Sequence, residues 1–390
     1  MSDTKKQPRS NTFHREKEFL EERLAGVDLT DPDAVRAVAE NRLKAIKEMS
    51  EAAVNDQDQA WEALGPANVS FATYEMGSCS GRVVDFAFGK DINGAKRVYA
   101  ATSNGGVWFK NPDNKGEAWQ SAMPNFAPNV TSLHSSPLAC GAIDVELARF
   151  KTIIVGTGEG NRFILGDQAV AADGLSYMGI GPVRGEPNAN GQIDWEIEES
   201  NPSLAGHAFY EIACNPDNTS EHIAATTNGL YRREQVDGSS SYQWNKIRID
   251  HPAPEIGDRW TSVVWTRVKL AGNIQFHFFA ARMNDGVYHS TNAGQSWTRL
   301  PDVPVPRESY NQNTSRVGRI GLAVVPDGTN GNLYALVAKN LDKLSNDSFG
   351  FGGVYSLSLR SLEPGSLKSP SWSFLLYDGK LLNLFGDIKD

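Results

Sequence analysis

Four basic side chains occur at one recurring position of the sequence, beside the start of a short apolar run. The four residues are Arg82, His207, Arg259 and Arg319. If the apolar runs are equivalent strands around one axis, these side chains form a basic ring whose paired donors suit a carboxylate, sulfate or phosphate. The alternative is that each one pairs with an acidic residue such as Asp85 or Glu211, or with loop carbonyls, and only fixes its loop.

A long predicted loop, residues 158–173, contains the carboxylates with the clearest catalytic potential. Glu159 and Asp167 are the candidate catalytic pair, and Asn161 and Arg162 are candidate ligand-binding residues in the same loop. Glycoside hydrolysis requires two carboxylates that face one pocket about 5 to 10 Å apart. The alternative is that residues 158–161, Gly-Glu-Gly-Asn, only form a turn.

No cofactor is predicted. The seven histidines show no metal-ligand spacing, and the three cysteines show none either. Structural calcium held by loop oxygens, around Asp113 or around Asp217 and Asn218, is an open alternative.

A repeated pattern must position these residues. After residue 65 the chain consists of short apolar runs separated by Gly, Asn and Asp, which is typical of an all-β protein. Five copies share two strands, a third strand of the type Gly-Val-Trp or Gly-Leu-Tyr, a turn and a tryptophan. The closing tryptophans are Trp119, Trp195, Trp244, Trp297 and Trp372. Their separations, 49 to 76 positions, fit a four-stranded unit with variable loops.

The repeat predicts a β-propeller of about five four-stranded blades over residues 61–390. The blades are expected near residues 66–125, 130–200, 204–250, 258–302 and 316–378. Radial repetition buries the faces of each sheet on its neighbours, whereas a packed pair of sheets is the competing interpretation. We expect five blades to close the ring. The alternative is a larger ring that another copy or another polypeptide completes.

The segment before the propeller is predicted to be different in kind. Residues 1–12 are polar and are expected to be disordered. Residues 13–60 show apolar positions at helix-like intervals, so they are expected to form a short helical arm. Such an arm offers a route for docking into a larger assembly.

One hairpin is the best-defined copy of the repeat. The run from Val287 to Ser290 leads into a turn, and the return strand is expected to open at Trp297. The side-chain oxygen of Asn292 should cap its own turn, and Gly294 supplies the positive φ of the tight return.

The spacing of Ser290, Asn292, Gly294 and Trp297 resembles the Asp-box, or BNR repeat, of sialidase-like, sortilin-like and xyloglucanase-like bacterial β-propellers. Shorter matches occur at residues 65–66, 80–83, 103–108 and 156–161. The resemblance covers roughly residue 61 to the C-terminus. It implies a propeller with a short helical segment before the first blade.

The resemblance also suggests glycoside hydrolysis, but the catalytic motifs of these families are incomplete. The arginine triad, the Tyr-Glu pair and the Phe/Tyr-Arg-Ile-Pro motif of sialidases have no counterpart in the sequence. Xyloglucanase-like members carry a catalytic Asp in Thr-Asp-x-Gly-Gly, and Asn104 stands in the nearest counterpart. Asn can bind a sugar hydroxyl but cannot act as a general acid or base.

Charge and composition limit the classes of partner and the cellular location that the sequence predicts. With 38 basic and 47 acidic residues, the net charge of −9 argues against nucleic acid or an anionic membrane as a partner. No apolar stretch approaches the length of a membrane span, and residues 1–12 do not resemble a standard secretory signal. Unpaired cysteines suit a reducing compartment. We therefore expect a cytoplasmic protein, or one that is exported without a standard signal peptide.

The leading functional hypothesis is a non-enzymatic propeller that binds a protein or an anionic glycan on its loop face or in its central channel. One alternative is a glycoside hydrolase or lyase that uses Glu159 and Asp167. A second alternative is a structural component of a larger assembly, docked through residues 13–60.

Overall fold

The computed structural model describes most of residues 82–376 and two short strands before them. The described residues are 69–70, 78–79, 82–124, 126, 128, 137–146, 151–160, 178–215, 221–237, 239–254, 257–270, 273–304, 317–325, 331–339, 351–362, 366 and 369–376. The predicted tail (1–12) and the predicted helical arm (13–60) lie outside them.

The described chain is all β and is built from five antiparallel sheets that follow one another in sequence, as the repeat predicts. A two-stranded sheet, β1 (Val69–Ser70) and β2 (Ser78–Cys79), comes before them. The first sheet contains β3 (Val83–Lys90), β4 (Lys96–Thr102), β5 (Val107–Lys110) and β6 (Gln120–Ser121). The second contains β7 (Cys140–Val145), β8 (Ile153–Gly158), β9 (Met178–Pro187) and β10 (Ile193–Ile197).

The remaining three sheets repeat this order, with one addition. The third contains β11 (Glu199–Asn201), β12 (Phe209–Cys214), β13 (His222–Thr226), β14 (Gly229–Gln235) and β15 (Tyr242–Lys246), and β11 pairs in parallel with the outer strand β15. The fourth contains β16 (Trp260–Leu270), β17 (Asn273–Arg282), β18 (Gly286–Ser290) and β19 (Thr298–Arg299). The fifth contains β20 (Val317–Val325), β21 (Asn332–Lys339), β22 (Phe351–Ser358) and β23 (Trp372–Leu376), with a 3-10 turn at Leu359–Leu362.

The first of the four consecutive strands in each sheet is its inner strand, and all five inner strands share one irregularity. β3, β7, β12, β16 and β20 each carry a register shift near their start, where they pair with the next strand. A bulge at this place bends the strand and redirects the side chains beside it. Because it recurs in every sheet, the five sheets are copies of one blade design.

Apolar side chains between consecutive blades form the core. One cluster joins the first and second blades, and three more join the second to the third, the third to the fourth and the fourth to the fifth. The closing tryptophans lie in the outermost strands or next to them. Trp195 and Trp372 each donate a hydrogen bond from Nε1 to a carbonyl of the preceding blade, at Ala122 (2.7 Å) and Pro301 (2.9 Å).

A side-chain acceptor links each inner strand to the next one. An oxygen of the earlier blade accepts a hydrogen bond from a backbone N–H of the following inner strand at all four junctions. The pairs are Asp85 with Ile143 (3.0 Å), Asp144 with Cys214 (2.9 Å), Glu211 with Val263 (3.0 Å) and Ser262 with Leu322 (3.0 Å). We call these four contacts the inter-blade hydrogen bonds. They satisfy backbone donors on the strand edge that faces the central axis.

The expected closure at five blades is not found in the described strands. Neighbouring inner strands pack side by side from β3 to β20, but β20 does not pack against β3. Consistently, Phe86 is 53% and Phe88 is 67% exposed in the first blade, and Leu336 is 54% exposed in the fifth. Among the described residues, the five blades therefore form an open arc, and no described strand packs extensively on the outer face of the first or of the fifth inner strand.

Two further sequence expectations concern cysteines and membrane helices. Cys140 and Cys214 are free and buried, as predicted for unpaired thiols. Among the residues that the structure describes, no helix has the length and apolar character needed to cross a bilayer.

The pKa of Glu211 should make the junction between the third and fourth blades sensitive to pH. Burial has the largest effect on the pKa of Glu211 and raises it to about 7. Hydrogen bonds from Ser262 and Val263 oppose this rise, while the charge of Asp85 adds to it and that of Arg319 opposes it to a smaller extent. Because the pKa of Glu211 in the folded state lies above the usual 4.5, protonated Glu211 contributes its full stabilisation to the folded state below pH 4.5. This contribution is lost as the pH rises through 7.

Glu211→Gln keeps an acceptor and removes the titration. Between pH 4.5 and 8, we expect its free energy of unfolding to rise relative to the parent protein by on the order of 3 kcal/mol.

Chemical denaturation across that pH range measures this difference. Glu199→Gln makes the same substitution on the exposed strand β11 and is the matched control. A constant difference between Glu211→Gln and the parent protein would contradict the assignment.

Candidate functional site

The five inner strands pack side by side, and each has its bulge near its start. We call the end of the blades at these starts the mouth. Arg82 directly precedes β3 and Arg259 directly precedes β16, whereas His207 lies two residues before β12. Arg319 lies inside β20, at its bulge between Val317 and Ile320. Four of the five blades therefore contribute a basic residue near the mouth.

Glu159 has several close polar partners at the mouth. Its side chain is 1% exposed. Arg82 forms an ion pair with Glu159 Oε2, and Ser103 Oγ donates a hydrogen bond to the same oxygen at 2.7 Å. Arg82 also contacts Ser103 Oγ at 2.7 Å. Arg82 therefore has an acidic partner, as in the alternative to an open basic ring. The partner is Glu159 rather than Asp85 or Glu211.

Glu159 joins the second blade to the third through its backbone. It forms an isolated parallel bridge with Phe209 in β12. The next residue, Gly160, lies against the ring of Tyr210, and a Cβ at this glycine would be 2.7 Å from Tyr210 Cε1. The close approach is possible because residue 160 has no side chain. The segment that carries Glu159 is thus held against the third blade.

In the second blade Ala139 takes the position of Arg82, because its carbonyl accepts a hydrogen bond from the Gly158 N–H as the Arg82 carbonyl does from the Ser103 N–H. Two residues later, at Gly141, there is no room for a side chain. A Cβ at Gly141 would lie 2.1 Å from the carbonyl oxygen of Gly158 and 2.2 Å from that of Phe209. The backbone beside Glu159 and the third blade fill the space that a side chain would need.

Arg319 of the fifth blade reaches the third blade. Its guanidinium carbon lies 5.2 Å from the centre of the Tyr210 ring, within the range of a cation–π contact, and Arg319 is exposed. Burial raises the pKa of Tyr210, while the charges of Arg319 and Arg259 lower it. Tyr210 is therefore the point at which the Glu159 segment and two of the candidate arginines meet.

His207 differs from the arginines because it is driven toward its neutral form. Burial lowers its pKa, and the nearby charge of Lys246 lowers it further. Nδ1 of His207 lies 3.4 Å from Thr227 Oγ1. Near neutral pH this side chain thus offers hydrogen bonding rather than positive charge.

The remaining sequence-predicted residues divide into two groups. Asn104 is exposed in the turn that follows Ser103, so it lies beside the Arg82 and Glu159 contacts. Asn161, Arg162 and Asp167 lie outside the described residues, and the proposed pairing of Glu159 with Asp167 stays a prediction.

Sequence reasoning did not anticipate the central carboxylates as a group. Asp85, Asp144 and Glu211 supply three of the four inter-blade hydrogen bonds, and burial raises the pKa of all three, that of Asp144 to about 6. The signal was present in the sequence, because each of the first three blades places one acidic residue within an otherwise apolar stretch of its inner strand. A charged residue in such a run needs a partner, and here the partner is a backbone N–H of the next blade.

The hairpin of the fourth blade has the predicted turn. Asn292 Oδ1 accepts a hydrogen bond from the Ser296 N–H at 2.9 Å, and Trp297 Nε1 donates one to the Gly294 carbonyl at 2.9 Å. Gly294 has a φ of 77°, as its role in the turn requires. The return strand begins at Thr298, one residue after the expected position. This turn lies at β18 and β19, in the outer half of its blade.

The geometry of the described residues does not indicate a binding site for calcium or another metal. No group of three or more His, Cys, Asp or Glu side chains in the described ranges is arranged to hold a metal ion. Asp113, one of the candidate calcium ligands, pairs with Lys96 at 2.9 Å. Asp217 and Asn218 fall in the gap at residues 216–220.

Comparisons with known proteins give no family match and only distant structural neighbours. No protein-family profile matches the sequence, and no curated protein is similar to it. Among solved structures, the GH74 enzyme of Niastella koreensis is 14% identical with a TM-score of 0.43, covering 77% of this chain and 38% of that chain. The polycomb repressive complex 2 of Chaetomium thermophilum gives 9% identity and a TM-score of 0.34, covering 66% of this chain and 55% of that chain. Values this low carry no argument about activity, substrate or partners.

The Arg82 and Glu159 pair should contribute to stability in a way that a double-mutant cycle can isolate. Arg82→Ala removes the ion-pair partner of the buried Glu159 carboxylate and leaves the hydrogen bond from Ser103. We expect a loss of about 2 kcal/mol, below the figure for a fully buried pair because Arg82 is half-exposed. In a Glu159→Gln background, the same Arg82→Ala change should cost less than about 0.5 kcal/mol. Urea denaturation measures both values, and equal losses in the two backgrounds would show that the pair does not interact.

Proposed function

We propose that this protein is a non-enzymatic β-propeller that binds an anionic ligand, an acidic protein surface or an anionic glycan, at the mouth of its central channel. The observation that carries the proposal is the exposed guanidinium of Arg319 on the Tyr210 ring. It presents hydrogen-bond donors to solvent at a place where several blades meet.

The surroundings of Arg319 favour ligand binding over an isolated surface contact. The cation–π contact with Tyr210 restricts the Arg319 side chain, so less side-chain freedom is lost when a ligand binds. Arg82 and Asn104 are exposed at the same end of the blades. Guanidinium and amide groups together suit carboxylate or sulfate groups and neighbouring hydroxyls.

The state of Glu159 supports binding rather than hydrolysis. A general acid or nucleophile must reach the bond that is broken. Glu159 is buried, and its Oε2 atom is engaged by both Arg82 and Ser103. The inner-strand carboxylates that the structure describes, Asp85, Asp144 and Glu211, each accept a backbone hydrogen bond from the next blade.

Hydrolysis by Glu159 and Asp167 is the competing proposal, and assembly through residues 13–60 is another. A hydrolase would release reducing sugar from a bound glycan, and deletion of residues 1–60 would abolish assembly if the helical arm were the docking element. Neither outcome is expected from the binding proposal.

A glycan array that spans neutral, carboxylated and sulfated oligosaccharides tests the binding proposal, followed by calorimetric titration of the strongest ligand. Arg319→Ala should weaken binding about tenfold or more, because it removes a charge-assisted hydrogen bond worth at least about 1.5 kcal/mol. Arg319→Lys keeps the charge but loses the planar fork, so it should restore binding only in part.

Arg360→Ala is the matched control, because Arg360 is an exposed arginine of the same blade in the 3-10 turn. It should leave the affinity within about twofold, well below the effect of a lost charge-assisted bond. Failure to bind any anionic glycan or acidic peptide, or equal binding by Arg319→Ala and the parent protein, would contradict the proposal.

A further inference from the structure

The inner strands have two different faces. We call the face toward the following blade the leading face, and the face toward the preceding blade the trailing face. Side chains alternate between them along each strand. In β3, for example, Asp85 and Ala87 point to the second blade, and Phe86 and Phe88 point the other way.

At the four junctions a leading face that contributes one polar acceptor and one Ala or Val meets a trailing face of apolar residues. The leading residues are Asp85 and Ala87, Ala142 and Asp144, Glu211 and Ala213, and Ser262 and Val264. The trailing residues are Ile143 and Val145, Ile212, Val263 and Trp265, and Ile320 and Leu322. Junctions are therefore built from unlike faces, with a hydrogen-bond acceptor on one side and apolar side chains on the other.

The two uncovered faces at the ends of the arc follow the same rule. The trailing face of β3 presents Phe86 and Phe88, which are large, apolar and mostly exposed. The leading face of β20 presents Gly321 and Ala323, which are small and exposed. A Cβ at Gly321 would have no described heavy atom within 4 Å, so this face has room for bulky side chains. The small residues of β20 thus leave room beside Leu336 of β21 for the bulky side chains of β3.

The hydrogen-bonding groups at the two ends are also compatible with a junction between β20 and β3. At an internal junction the trailing strand needs an acceptor from its neighbour. In β3 the corresponding N–H, that of Phe86, already bonds Asp85 Oδ1 within its own strand at 2.8 Å. The corresponding leading position in β20 is Gly321, which has no side chain to accept a bond. In a junction between β20 and β3 the Phe86 N–H therefore keeps its partner, and no acceptor from β20 is needed.

We propose that the trailing face of the first blade in one molecule packs on the leading face of the fifth blade in a second copy of the chain. Within one molecule the two faces do not meet, because β20 and β3 are not packed together in the described structure. Since the paired faces are unlike, the contact is head to tail rather than two-fold symmetric. Such a contact gives a ring if the rotation between copies closes and an open chain of copies if it does not.

Two blocking substitutions test this directly. Phe88→Glu places a charge on the trailing face, and Leu336→Glu places one on the leading face, because Leu336 pairs with Gly321 across β20 and β21. The parent protein should show a concentration-dependent increase in mass by sedimentation velocity, and each variant alone should be a monomer. Val236→Glu, at an exposed apolar residue of the third blade, is the control and should associate like the parent protein.

Mixing the two blocked variants is the decisive measurement. Phe88→Glu keeps an intact leading face and Leu336→Glu keeps an intact trailing face, so an equimolar mixture should form a dimer and nothing larger. The mixture also shows that both variants are folded, because each must supply one intact face. The proposal is overturned if the parent protein stays monomeric up to roughly 100 µM, if the mixture stays monomeric, or if Val236→Glu also abolishes association.

Discussion

The arc depends on the inter-blade hydrogen bonds of the inner strands. An inner strand pairs with its own sheet along one edge, so its other edge presents backbone donors to the crowded centre. A buried donor without a partner costs about 1 to 3 kcal/mol. Asp85, Asp144, Glu211 and Ser262 remove this cost at the four junctions and bring neighbouring strands into contact.

This constraint separates the acidic and basic residues of the channel. The inner-strand carboxylates point sideways into the junctions, and Glu159 is held by Arg82 and Ser103. The basic groups lie at the bulges and strand starts, where side chains turn toward the mouth, and Arg319 stays exposed on Tyr210. Arg319 is therefore the exposed positive charge on which the proposed anion-binding site rests.

The features that rest on local pattern could be predicted from the sequence. Strand periodicity and the recurring tryptophans predicted five blades, and the short-range chemistry of Asn292 and Gly294 predicted the turn of the fourth. Features that rest on long-range geometry were missed. The partner of Arg82 is 77 positions away at Glu159, and no local pattern connects the two. The open arc was missed because every copy looks alike in sequence, whereas closure depends on the angle between blades. One sign of it is nevertheless local, since the fifth inner strand carries Gly321 where the fourth carries the acceptor Ser262.

Hydrogen exchange at single backbone amides tests the role of the inter-blade bonds most directly. In Glu211→Ala the amide of Val263 loses its acceptor, while Cys214 keeps Asp144 at the preceding junction. We predict that the Val263 amide exchanges at least about tenfold faster, equivalent to about 1.4 kcal/mol or more of lost protection, and that the Cys214 amide is unchanged. Unaltered exchange at Val263, or an equal increase at both amides, would contradict this role of the inter-blade bonds.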